Sequence, residues 1–173
     1  MQIKFENFEQ KQIMNFYPMQ NIAPAGTLFV QNRPYPQDTL PNRIIGIDGV
    51  KRCMIAPEVV SVQYEATQFE NIKALVLAEI DDFLSEKQDF APNYDNASAK
   101  EQAESVADAF IRPTLNRDGG DIEIYSIIDG VLELSFTGHC ADCPYAQNTL
   151  QNVIMRTFQK YMPQIREVRL KGA

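Results

Sequence analysis

The stretch Lys87-Gln-Asp-Phe-Ala-Pro-Asn-Tyr-Asp-Asn-Ala-Ser98 constrains this chain more than any other. It is polar, has no hydrophobic period, and separates two segments that do carry helical periodicity, so one continuous core cannot run through it. Twelve residues reach at most roughly 40 Å when extended. The 173 residues are therefore expected to form two small α+β domains, 1–86 and 99–173, joined by a flexible linker at 87–98 across which they can move. A hydrophobic fraction of 45% and a charged fraction of 23% are ordinary globular proportions. They exclude wholesale disorder, collagen-like repeats and a coiled-coil rod.

Within the first domain, Ile13–Phe16 and Thr27–Val30 read as short strands. Pro41 opens a short helix carrying Ile44, Ile45 and Ile47. Asp48-Gly49 marks a turn, and Val50–Ile55 and Val59–Tyr64 follow as a strand pair. Phe69, Ile72, Leu75, Val76, Ile80, Phe83 and Leu84 then recur at helical spacing, a stripe laid on a sheet. The second domain reads as helix, strand, strand, helix, strand. Ser98 with Glu101 three residues on fits a capping box, and the helix it starts carries Val106, Ala109 and Phe110, with Pro113 near its end. Asp118-Gly-Gly-Asp121 is a tight turn with solvated aspartates. Ile122 to Ile128 forms a strand, Asp129-Gly130 is a two-residue hairpin signal, and Leu132, Leu134 and Phe136 alternate on the return. A helix from Pro144 to Tyr161 presents Leu150, Val153, Ile154, Thr157, Phe158 and Tyr161, and Ile165–Leu170 closes the chain as a strand.

Charge and hydropathy remove several function classes. Sixteen basic residues face 23 acidic ones, a net charge of −7, and neither half supplies the basic field that nucleic-acid binding requires. No run approaches eighteen apolar residues, so no membrane-spanning helix is expected. Met1-Gln-Ile-Lys-Phe-Glu-Asn7 has neither the apolar core of a secretory signal nor the Arg-rich character of a transit peptide. A cytoplasmic location with reduced thiols follows as the expectation. Three cysteines in that setting point to metal or redox chemistry, or to inert core thiols.

The chemistry concentrates in Cys140-Ala-Asp-Cys143, where a strand ends and a helix begins at Pro144. Unpaired N–H groups and the positive helix end favour thiolate there. Thiolate both ligates soft metals and attacks disulfides, so the motif alone leaves both uses open. A closed zinc site or an iron–sulfur cluster normally takes four ligands. This chain offers two adjacent thiols, a distant Cys53 and a single histidine, His139. Two chains related by a two-fold axis would supply four thiolates without any special docking of the two domains. Cys53, in the strand-like Val50–Ile55, reads as a small buried hydrophobe, and His139 as a loop residue.

Residues 98–170 resemble the NifU-like C-terminal domain of the Nfu iron–sulfur proteins. Ile111-Arg-Pro-Thr-Leu-Asn-Arg-Asp-Gly-Gly-Asp121, Asp129-Gly-Val-Leu-Glu-Leu134, and Gly138-His-Cys-Ala-Asp-Cys-Pro144 followed by Thr149-Leu150 carry the likeness. The first half is similar to the family's N-terminal Nfu domain through Gly46-Ile-Asp-Gly-Val50 and Phe69-Glu-Asn-Ile72. His139 departs from the family, where a small residue is common. The resemblance implies a non-enzymatic scaffold or carrier. Cys140 and Cys143 would hold an iron–sulfur cluster, typically [4Fe–4S], between two chains for transfer to apo-proteins. The implied partners are a second copy of the chain, apo iron–sulfur clients and an upstream assembly machinery, with no nucleic acid and no membrane. Two other readings of the CxxC remain: a thiol–disulfide oxidoreductase, against which stand the Ala-Asp spacer and the absence of Trp, and a zinc-bridged adaptor dimer.

Overall fold

A computed structural model describes residues 2–87, 97–142 and 144–171. Most of the stretch read as a linker, residues 88–96, lies outside the described residues, as does Cys143. The chain divides into two compact units, Met1–Ala97 and Ser98–Ala173. Both mix sheet and helix, as an α+β fold requires.

Unit one is a five-stranded antiparallel sheet in the order β1-β2-β5-β4-β3, built from β1 (Lys4–Phe8), β2 (Ile13–Tyr17), β3 (Phe29–Gln31), β4 (Val50–Ala56) and β5 (Val59–Tyr64). Helices α1 (Leu40–Ile45) and α2 (Phe69–Ser85) share its core. From α2, Ile72, Val76, Ile80 and Phe83 are buried against Met14, Phe16, Val60 and Val62, and each such side chain stabilises the unit by about 1.5–3 kcal/mol. Leu75, expected in that stripe, is 43% exposed. At 100° per residue it falls beside the buried line rather than on it. Strand β1 has no counterpart in the sequence reading.

In unit two, Ser98 Oγ accepts from the Glu101 amide at 3.2 Å while Glu101 Oε2 accepts from the Ser98 amide at 2.9 Å, so the capping box is formed. Helix α3 (Ala99–Val106) widens into a π-turn at Ala107–Ile111 before α4 (Arg112–Arg117). Pro113 explains the widening: it has no N–H for the carbonyl four residues back, and its ring clashes there. Strands β6 (Gly120–Ile128) and β7 (Val131–Gly138) form an antiparallel hairpin. At its tip Asp129 and Gly130 have φ of 51° and 78°, the pair of positive values a type I′ turn demands. The register runs from Ile128 opposite Val131 at the turn to Gly120 opposite Gly138 at the open end. Helix α5 (Pro144–Tyr161) then returns the chain to β8 (Glu167–Leu170), which pairs parallel with Val131–Leu134 of β7. Ile122, Ile124, Leu132, Leu134, Phe136 and Val168 from the sheet are buried, as are Ala103, Val106, Ile154 and Phe158 from the helices. Phe110 instead stacks on Tyr161, with ring centroids 4.4 Å apart and planes 3° from parallel. Val153 stands 51% exposed, outside the buried stripe assigned to it.

Candidate metal-cargo site

The open end of the β6–β7 hairpin brings together two sequence motifs that lie about twenty residues apart. Strand β7 finishes at Gly138, whose φ of 64° turns the chain into the loop His139–Asp142 before α5. The His139 amide donates to the Gly119 carbonyl at 3.2 Å. A Cβ on Gly138 would stand 2.3 Å from that same carbonyl oxygen, and one on Gly119 would stand 2.3 Å from His139 Cδ2. A Cβ on Gly120 would stand 2.1 Å from Cys140 Sγ. No real Cβ tolerates these separations, so the glycine pair is more than a tight turn. Gly120 leaves the space in which the Cys140 thiol sits, and Gly119 the space for the His139 ring. Cys140 is only 8% exposed as a result, while His139 is exposed.

Two further groups hold this corner. Asn116 Nδ2 donates to the Gly120 carbonyl at 2.8 Å, fixing the strand beneath the thiol. From the first turns of α5, Gln147 Nε2 donates to the carbonyls of Cys140 at 2.9 Å and Ala141 at 2.8 Å. Neither residue stood out in the sequence, because each acts through a backbone group that only the hairpin register and the helix start bring within reach.

Behind the glycines lies a buried ionic centre. Arg112, 6% exposed, donates to Glu104 at 2.6 Å and Asp108 at 2.9 Å, pairs with Asp121 at 3.2 Å, and donates to the Ile122 carbonyl at 3.1 Å. Desolvation works against its charge, but attraction from Asp108 and Glu104 outweighs it, so the guanidinium pKa lies above its ordinary value. Asp121 is thus not the solvated turn residue the sequence implied. It ties the Gly-Gly turn to α4, and Glu104 belongs to the same centre.

Cys53 sits in β4 of unit one with no exposure. Burial pushes its thiol pKa well up, so it stays neutral and is a poor metal donor. Among the described residues no three or more His, Cys, Asp or Glu side chains converge as a metal site, and no helix is long and apolar enough to cross a membrane. Cys140 alone of the predicted pair can be placed. It is a soft sulfur donor on a loop at a strand end, where a thiophilic metal or cluster fits and a hard cation does not.

Comparison with known proteins bears on the same segment. The family model described as a NifU-like domain matches residues 104–169. A Drosophila erecta protein named NFU1 iron-sulfur cluster scaffold homolog, mitochondrial, is 32% identical over 133 residues, covering 70% of this chain and 47% of its own. The Drosophila sechellia protein of that name is 26% identical over 185 residues, covering 97% of this chain and 64% of its own. The Homo sapiens one is 30% identical over 140 residues, covering 75% and 55%. The chain therefore spans between about half and two-thirds of the length of these relatives. A crystal structure of protein SAV1430 from Staphylococcus aureus aligns with 46% of this chain and 99% of its own at 19% identity, with a TM-score of 0.39. The relatives' mitochondrial designation overturns the cytoplasmic expectation. That expectation rested on the first residues of a chain shorter than its relatives, and those residues do not report on a leader.

Proposed function

We propose, for a chain of the Nfu type that carries a NifU-like domain over residues 104–169, that it is a non-enzymatic scaffold and carrier for an iron–sulfur cluster. The cluster is cargo, held by the thiolates of Cys140 and Cys143. Two copies related by a two-fold axis supply the four thiolates that an iron–sulfur cluster takes, and the likeness to the Nfu proteins points to the [4Fe–4S] form. Ligation shared in this way comes apart without unfolding either chain, which suits release to apo-proteins. The partners in this reading are a second copy, an upstream cluster donor and apo iron–sulfur clients.

One observation carries the reading. Inside the segment that matches the NifU-like domain, three glycines are spent on letting two chain segments approach closely enough to seat Cys140 Sγ at the end of a strand. A thiol needed only for packing does not require that arrangement, since an apolar core accepts it anywhere, as with Cys53.

Anaerobic reconstitution with iron and sulfide, followed by visible absorption, metal and sulfide analysis and sizing, tests it. The expected product is a brown dimer with about four irons and four sulfides per two chains. The double substitution Cys140→Ala, Cys143→Ala is expected to abolish colour and keep the fold. A colourless, iron-free product overturns the proposal, with zinc content and the thiol reduction potential then separating an adaptor from an oxidoreductase.

A further inference from the structure

We propose that Gln147 is a positioning residue that sets how tightly this site holds its cargo, an inference that rests on the carrier reading above. Its carboxamide nitrogen meets two carbonyl oxygens at once, those of Cys140 and Ala141. The chemistry fixes the amide orientation, because a carbonyl oxygen cannot face two others at hydrogen-bond distance. Both contacts therefore use Gln147 as a donor.

The consequence reaches the ligand through the planarity of the peptide. In a trans peptide unit the N–H points opposite to the C=O. Drawing the Cys140 and Ala141 carbonyls to Gln147 turns the N–H groups of Ala141 and Asp142 to the other side of the loop. Two consecutive peptide planes immediately after the thiol are thereby locked. Gly120 and Asn116 hold the thiol from the sheet side, and Gln147 holds the backbone of the same residue from the helix side. Backbone orientation and N–H direction around a sulfur ligand are the outer-shell quantities that tune metal affinity and cluster properties. Gln147 controls both with one side chain, and it can do so only as a donor.

That last property supplies the test. Gln147→Leu removes the donor, Gln147→Glu replaces it at neutral pH with a carboxylate that repels both carbonyls, and Gln147→Lys keeps a donor while changing shape and charge. Two measurements are made on the full chain. In metal-free protein, Cys140 alkylation is followed by mass spectrometry. The Leu and Glu variants are expected to react roughly tenfold faster than the parent, because two neutral hydrogen bonds no longer oppose local opening, and Lys within about twofold of it. In reconstituted protein, iron loss to a colorimetric chelator is timed. The Leu and Glu variants should shed iron about tenfold faster, with Lys again close to the parent.

Rescue by Lys separates positioning from packing, since a purely structural role ranks the variants by fit and not by donor capacity. If Gln147→Leu does not fold, the Glu and Lys variants carry the comparison, and equal lifetimes for that pair overturn the proposal. A parent that takes up no cluster overturns the carrier reading and this inference with it. A parent that loads normally while all variants release iron at its rate overturns the role of Gln147 alone.

Discussion

Replacing Arg112 by Met is the most informative perturbation of unit two. The guanidinium holds Glu104, Asp108 and Asp121 together and satisfies the Ile122 carbonyl, at 6% exposure. Removing it leaves three carboxylates facing one another, with side chains 31%, 13% and 30% exposed, and one carbonyl without that donor. Breaking a buried pair from one side costs about 3–5 kcal/mol. Partial solvation of Glu104 and Asp121 places this case at the lower end, about 3 kcal/mol. For a unit of this size that is a fall in melting temperature of roughly 12–24 °C. Scanning calorimetry of the full chain, with hydrogen exchange at Ile122, Leu132 and Leu134, reads unit two. The amides of Val59–Tyr64 in unit one serve as the internal reference and should not change. The pH dependence has a definite sign. A folded pKa raised above the unfolded value means the contribution is complete throughout the range below the unfolded value and is lost only as pH rises through the higher folded one. The gap between parent and variant is therefore expected to hold constant from about pH 7 to pH 10. A fall of less than about 1 kcal/mol, or a gap that closes within that range, would refute the assignment of Arg112 as the centre of this unit.

Two further outcomes follow from the described geometry. Gly120→Ala places a methyl where Cys140 Sγ sits, so the thiol is expected to leave its seat and alkylate about tenfold faster at a stability cost of roughly 1–3 kcal/mol; unchanged Cys140 reactivity refutes the seat. Burial raises the Cys53 thiol pKa, so the folded state keeps a proton that the unfolded state loses above about pH 8.5, and the stability of unit one should decline by about 1.4 kcal/mol per pH unit beyond it. Cys53→Val should remove that decline in alkaline denaturant titrations, and an identical slope in the variant contradicts the burial argument.

Much of the fold was legible because local rules and tertiary packing agree. The capping box at Ser98, the Asp129-Gly130 turn and the alternation of Leu132, Leu134 and Phe136 each carry their own signal within a few residues. Strand β1 was not legible: in Lys4-Phe5-Glu6-Asn7-Phe8 the polar residues outnumber the apolar ones, and the segment becomes a strand because β2 offers it a free edge. Leu75 and Val153 show that a helical stripe read from apolar letters is wider than the face the sheet covers. At the site, Cys140 stood out from its own neighbours. What holds it did not, since Gly120, Asn116 and Gln147 matter through the pairing of Gly120 with Gly138 and the start of α5, which no window of sequence contains. Asp121 was misjudged for the same reason, its partner Arg112 lying across the end of a helix.

The hairpin is braced unevenly along its length. Strand β8 pairs only with Val131–Leu134, beside the turn, so from Ser135 to Gly138 the return strand has β6 as its only ladder partner among the described residues. A two-stranded end remote from its turn frays before the rest of a sheet, at a free energy well below that of global unfolding. Cys140 is anchored to that fraying end. Its thiol therefore gains solvent when the terminal pair Gly120–Gly138 parts, a zipper opened from its loose end, while the turn and β8 stay paired and Ile122 and Phe136 stay buried. Access to this sulfur, for an alkylating reagent or in the proposed carrier role, is then governed by the ladder pairs nearest the open end rather than by the stability of the unit.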